Sequence, residues 1–240
     1  MRVLKGKFWK IFLGVWLSIV IIVGMSLPMV PSPQSFFEFP IIPGLEEKAR
    51  IIFFHVPTAW IAVIAFLMAM VNGIQYLRKN DLEYDIRSSS AAGLGLVFCV
   101  LATVTGAIWA KFNWGAYWNW DPRQTSIFVL MLIYGAYFAL RSAIDIDEKR
   151  ASLSAVYAII AFVTVPFLVF IMPRMMTGLH PGSASDDGAG PVVDFSMDTP
   201  MYIVFISSLI GFTLLYLWMY ELRVRLGKIE LHYESLRSHD

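Results

Sequence analysis

Apolar residues fill this chain in long, nearly unbroken runs, and the polar residues fall between the runs. Strict alternation, the mark of a half-buried strand, is missing, and so is the polar stripe of a soluble helix. A bilayer core takes roughly 20 consecutive apolar residues in a helix. Six stretches meet that length, at about 11–30, 52–77, 90–109, 125–143, 152–172 and 201–220. Apart from Arg141 near the end of the fourth, none contains Asp, Glu, Lys or Arg. The pattern predicts an all-α integral membrane protein, with residues 1–240 forming a single domain of six transmembrane helices.

Composition strengthens that reading. Hydrophobic residues make up 58% and charged residues only 15%, against roughly 25% charged in soluble domains. Mean hydropathy is +0.63. The first run follows Arg2, Lys5, Lys7 and Lys10, as in a signal peptide. Its apolar stretch is longer than the usual 7–15 residues, and Leu27-Pro28-Met29 offers no small-x-small cleavage site. It reads as a retained anchor.

Net charge is only +1, which gives no reason to expect a nucleic-acid partner, but the placement of the basic residues is informative. Fourteen lie at the N-terminus, in the 78–89 and 141–150 loops and in the 221–240 tail. The other side holds five: Lys48, Arg50, Lys111, Arg123 and Arg174. By the positive-inside rule both termini are cytoplasmic. The outer loops, about 31–51, 110–124 and 173–200, are the longer ones and carry most of the Pro, Trp and Gly outside the spans. Function concentrates on such loops. The cluster Glu46, Glu47, Lys48 and Arg50 precedes His55. It suits either partner steering or the membrane surface.

Several chemistries are missing from the chain. It has no P-loop, no His-Glu-x-x-His and no Gly-x-Ser-x-Gly. One cysteine, Cys99, stands in an apolar run, where it reads as a small buried apolar residue. Spans so poor in ionisable groups also argue against proton- or sodium-coupled transport.

The outer loop 110–124 is the most unusual segment. With Trp109 just before it, half of the eight tryptophans fall within twelve residues. Interfacial anchoring explains one or two rings per helix end; four with Tyr117 are an excess. If 114–118 is a short helix, Trp114 and Trp118 share a face at i, i+4. Gly115 would let a planar ligand approach the backbone. Asp121-Pro122 with Gln124 predicts a helix start, with Asp121 as N-cap and Pro122 at N1. Arg123 then sits in the first turn, where the helix dipole disfavours a cation. A nearby Asp or Glu, or a ligand carboxylate, would offset that.

Two of the four histidines, His232 and His239, lie on the polar tail. The others, His55 and His180, share the outer side with the tryptophans. Neutral imidazole is a common axial ligand for haem iron. Two histidines from separate segments beside an aromatic shelf would form a six-coordinate haem site. The Gly-, Ser- and Asp-rich 183–198 stretch could let the His180 arm open and close.

The segment Trp114-Gly-x-x-Trp118-x-Trp120-Asp121-x-Arg123 resembles the tryptophan-rich motif of the membrane proteins that handle haem in cytochrome c maturation. Six spans, about 240 residues, His55 in His-Val-Pro-x-x-Trp and His180 in Leu-His-x-Gly-Ser are similar to the heme exporter protein C family. The resemblance implies that haem b, in transit, is held on the periplasmic face of the bacterial inner membrane. It implies His55 and His180 as axial iron ligands, and Trp114, Gly115, Trp118, Trp120, Asp121 and Arg123 as the rest of the site. It also implies delivery to a membrane-anchored haem chaperone. Further partners would be ABC-type membrane and ATPase subunits and a small membrane subunit, in keeping with the missing P-loop. The larger synthetase branch has extra spans and histidines that this chain lacks, so direct attachment of haem to apocytochrome is not implied. No nucleophile or general base is evident on the outer face, so the chain reads as a delivery protein that assists by positioning rather than as an enzyme. Two other functions fit the sequence: a transporter carrying haem across the membrane, and a non-catalytic subunit of an ABC-type assembly complex with the aromatic loop as its docking surface.

Overall fold

Helix boundaries in this chain follow local chemistry. The computed structural model describes residue 6, residues 8–180, residue 183 and residues 197–237. Within them lie α1 (Phe8–Ser26), α2 (His55–Lys79), α3 (Leu82–Trp114), α4 (Pro122–Ser142), α5 (Asp147–Pro166), α6 (Met172–Met175) and α7 (Thr199–Arg237). Asn80 ends α2 in the left-handed conformation, and Asp81 caps α3 by accepting from the Glu83 N–H. A 3₁₀ segment, Glu46–Phe53, leads into α2. A π-helical turn, Phe167–Ile171, joins α5 to α6. Six helical stretches among the described residues are long and apolar enough to cross a membrane. The expected all-α membrane architecture therefore stands.

The helices overrun the expected spans. α3 has 33 residues and α7 has 39, or about 50 and 60 Å at 1.5 Å per residue. The 221–240 tail, expected as a separate segment, continues α7 as far as Arg237. Arg225 pairs with Glu221 at i, i+4, and Lys228 reaches Glu83 of α3 at 2.8 Å. These contacts carry the helix past its apolar part.

α2 and α3 form the most extensive interface, built on small buried residues: Ala62, Ala65 and Ala69 on one helix, Ala91, Ala92 and Gly95 on the other. Small residues let backbones approach where lipid removes the hydrophobic drive. Ser88 Oγ adds a bond to the Ala69 carbonyl at 2.8 Å. A Cβ on Gly95 would lie 2.6 Å from the Phe66 ring, which is itself stacked on Tyr134. Gly95→Ala is expected to cost about 1–3 kcal/mol by overpacking, read as a lower thermal midpoint in detergent.

The one expected intramembrane charge is paired. Arg141 Nη1 and Nη2 meet the two carboxylate oxygens of buried Asp85 at 2.5 and 2.8 Å. Such a forked pair satisfies both groups away from water.

At the opposite end of the bundle a second core gathers Val20, Phe39, Phe53, Met201 and Phe205. Arg50 donates to the carbonyls of Gly24 and Leu27 at 2.9 and 2.8 Å. Trp109 Nε1 donates to the Lys48 carbonyl at 3.1 Å. The charged cluster before His55 thus supplies a cap for the end of α1 and an anchor for the end of α3. It holds the start of α2, where His55 sits, in a fixed place.

Candidate functional site

The C-terminal end of α3, the N-terminal ends of α2 and α4 and the turn after α6 surround a cleft of about 270 Å³. That is near the lower end of small-molecule sites, roughly 300–1,000 Å³, so a large flat ligand would be only partly enclosed. His55 and His180 both line it. Trp60, Trp109, Trp114, Trp118 and Arg123 line it too, among mostly aliphatic side chains. Tertiary folding therefore brings together two histidines 125 positions apart in the chain.

Residues 114–118 do not form the short helix that would put Trp114 and Trp118 on one face. α3 ends at Trp114, and Gly115 takes φ +82° as its C-cap. The next helix begins at Pro122. Only a residue without a Cβ adopts that φ at no steric cost. Gly115 thus turns the chain and does not line the cleft. Trp114 and Trp118 reach the same cleft from a helix end and a loop, not from one helical face. Trp120 stands 71% exposed, off the cleft wall, with φ 55°. Its ring packs against Trp118 at 5.8 Å and suits the membrane interface.

Asp121 does more than its expected capping. It is the N-cap of α4, and its Oδ1 accepts from the Arg123 N–H at 2.9 Å. Its Oδ2 accepts from the backbone N–H of Leu179 at 2.8 Å and of His180 at 3.3 Å. A Cβ on Gly178 would come within 2.7 Å of that oxygen, so the turn needs glycine there to sit this close. Ser183 closes the turn, with its Oγ donating to the Gly178 carbonyl at 2.9 Å. One buried carboxylate therefore ties the tryptophan loop to the His180 turn. The rest of the 183–198 arm, apart from Met197 and Asp198, lies outside the described residues, as does His239.

Gln124, part of the expected helix start, turns to the loop. Its Oε1 accepts from the Asn119 N–H at 2.8 Å and its Nε2 donates to the Tyr117 carbonyl at 3.2 Å. The side chain braces the loop instead of returning to the Asp121 N–H.

Aromatic rings surround His180. Trp109 lies 5.9 Å and Trp114 6.2 Å from it, centroid to centroid. Trp109 lies outside the motif residues that the resemblance implies for the site. His55, at the start of α2, rests on α3. Its Nδ1 lies 3.1 Å from Thr105 Oγ1. Neither Thr105 nor Gly106 stood out in the sequence as site residues, because nothing local pairs them with a histidine 50 positions earlier.

Arg123 tests whether a ligand such as haem fits. Its Nε and Nη2 are buried and have no hydrogen-bond partner among the described residues. Asp121 and Arg174 both act on it electrostatically. A buried guanidinium with open donors is costly unless something anionic meets it. A carboxylate fits its fork, the cleft wall is largely aromatic and aliphatic, and two imidazoles face the space. These features suit a flat, apolar metal complex with an anionic edge.

Known proteins share this arrangement of sequence. Residues 3–236 match the family model described as Heme exporter protein C. The Heme exporter protein C of Paracoccus denitrificans is 32% identical over 176 residues, 73% of this chain and 71% of that protein. The Escherichia coli protein of the same name is 31% identical over 177 residues, 73% and 69% of the two chains. A cytochrome c biogenesis protein, CcsA, of Fagopyrum esculentum is 31% identical over 115 residues, 48% of this chain and 34% of that one.

Proposed function

Because the chain belongs to the Heme exporter protein C family of cytochrome c biogenesis, we propose that it binds haem on the periplasmic face of the bacterial inner membrane and presents it to a membrane-anchored haem chaperone. The observation that supports this most directly is the half-buried Arg123, whose buried Nε and Nη2 have no partner among the described residues, in the same cleft as His55 and His180. The periplasmic placement rests on the excess of basic residues at the other end of the bundle.

Haem b is cargo in this scheme, and its iron takes axial nitrogen ligands. His55 and His180 offer imidazole nitrogens from two separate elements. Trp109, Trp114 and Trp118 cover the porphyrin and exclude water. Arg123 pairs with a propionate. Asp121 keeps the His180 turn against the tryptophan loop. The chain contributes position rather than acid–base chemistry. ATP hydrolysis falls to ABC-type membrane and ATPase partner subunits working with a small membrane subunit, since no P-loop is present.

Absorption spectra of the purified protein, oxidised and reduced, test the reading. A Soret band with sharp reduced bands, as for six-coordinate haem, is expected. If no haem is retained after expression with ample haem and a haem-retaining partner, the cleft serves docking instead. Arg123→Met gives a second check. Removing a half-buried cation two of whose nitrogens are buried without a partner among the described residues should cost the fold little. Loss of its charge-assisted bond, about 1.5–3 kcal/mol, lowers haem affinity roughly tenfold or more without changing the ligand spectrum. Unchanged affinity in a haem titration would remove Arg123 from the site.

A further inference from the structure

The geometry points to Thr105 as the positioning residue for His55: its hydroxyl fixes the imidazole as the Nδ1–H tautomer and leaves Nε2 as the metal-binding nitrogen. This rests on the haem-binding reading above, and adds to it the tautomer of one ligand and the group that sets it.

The donor and acceptor inventory decides the tautomer. A threonine hydroxyl has a single proton. Thr105 Oγ1 lies 2.8 Å from the Leu101 carbonyl and 3.1 Å from the Ala102 carbonyl. Carbonyls only accept, so the proton points back into α3. The same oxygen lies 3.1 Å from His55 Nδ1, and the Ala102 backbone also hydrogen-bonds the His55 ring. With its proton spent, the hydroxyl can only accept there, and Nδ1 must carry the hydrogen. A neutral imidazole has one N–H, so Nε2 keeps its lone pair. Metal-bound histidines commonly donate their other N–H to a fixed acceptor, which sets ring orientation and ligand basicity.

Gly106, the next residue, makes the contact sterically feasible. A Cβ there would lie 2.9 Å from His55 Cε1 and 3.5 Å from Nδ1. The ring lies flush on the α3 backbone because position 106 has no side chain. Thr105 and Gly106 therefore form a seat, one residue holding the ring by a hydrogen bond and the other giving it room. The seat lies one helical turn before Trp109, so His55 and the aromatic wall beside His180 are referenced to the same helix.

The test uses the full-length protein in lipid nanodiscs. In the haem-free wild type with ¹⁵N-labelled histidine, long-range ¹H–¹⁵N spectra should show one histidine as the Nδ1–H tautomer, assigned to His55 by its loss in His55→Ala. In Thr105→Val, that signal should move to the Nε2–H form or to a mixture. On haem titration, Thr105→Val should bind about 10–100-fold more weakly, the usual cost of removing such a partner, with a shifted reduction potential. Thr105→Ser keeps the hydroxyl and should restore both properties. A Thr105→Val protein with the wild-type tautomer and affinity would overturn the proposal. So would an Nε2–H signal for His55 in the wild type. If His55→Ala binds haem with an unchanged spectrum, the ligand reading fails instead, while the tautomer measurement still judges the Thr105 seat.

Discussion

The His55→Ala/His180→Ala protein is expected to lose haem while keeping its fold. Both imidazoles line one cleft from different elements, so neither substitution leaves a neighbouring histidine to take over. Removing a partner that only orients a ligand costs about 10–100-fold in metal affinity. Removing both ligands should exceed the upper end of that range. The structural cost is small. His55 gives up its hydrogen bonds to Thr105 and to the Ala102 backbone, about 1 kcal/mol each. The single variants should retain some haem, with the broader, shifted bands of iron that has lost one nitrogen ligand. The decisive comparison is bound haem per protein and the reduced spectrum, wild type beside double variant, with thermal midpoints recorded in parallel. A double variant with full haem and an unchanged spectrum would sink the ligand assignment. A double variant that loses haem yet still captures the proposed ABC-type subunits would show that haem holding and docking are separate properties of the chain.

Asp121→Ala should be the most damaging single substitution outside the histidines. The carboxylate caps α4 and also accepts from the Leu179 and His180 N–H groups. Loss of an N-cap costs about 0.5–2 kcal/mol. Each charge-assisted bond is worth about 1.5–3 kcal/mol, and the abandoned N–H groups add a desolvation cost. Together these terms come to about 3.5–8 kcal/mol, most of it from freeing the His180 turn from the tryptophan loop. Faster hydrogen exchange at the Leu179 and His180 amides is therefore expected, with haem binding weakened at least tenfold. Asp121→Asn keeps an oxygen for one of its two roles and should fall between. If exchange at 179–180 is unaltered in Asp121→Ala, the carboxylate is a cap and nothing more.

These two experiments probe different layers of what could be read from residues alone. The spans were legible because a bilayer demands uninterrupted apolar length, and six runs met it. Asp121 as a cap was legible because Asp-Pro at a helix start is a local signal. The shape of the tryptophan loop was not. Helical spacing suggested a shared face for Trp114 and Trp118, but the positive φ of Gly115 ends α3 first. Trp120, grouped with its neighbours by motif, stands outside the cleft. The charged cluster near residue 48 had two open readings. Its structural roles appear only once the Gly24 and Leu27 carbonyls and the Trp109 indole are placed beside it.

By itself, then, the sequence determined the membrane class, the number of spans, the capping of α4 and the residue types available for a haem site. Each depends on composition or on neighbours within about one helical turn. Tertiary structure decided which of those residues meet. It set His55 on Thr105 and Gly106, joined Asp121 to the His180 turn, and left Arg123 Nε and Nη2 buried without a partner among the described residues. Those contacts span tens of residues along the chain, and no local periodicity or turn chemistry encodes them. They follow from how the α2–α3 pair packs through its small residues and where the helix ends then fall.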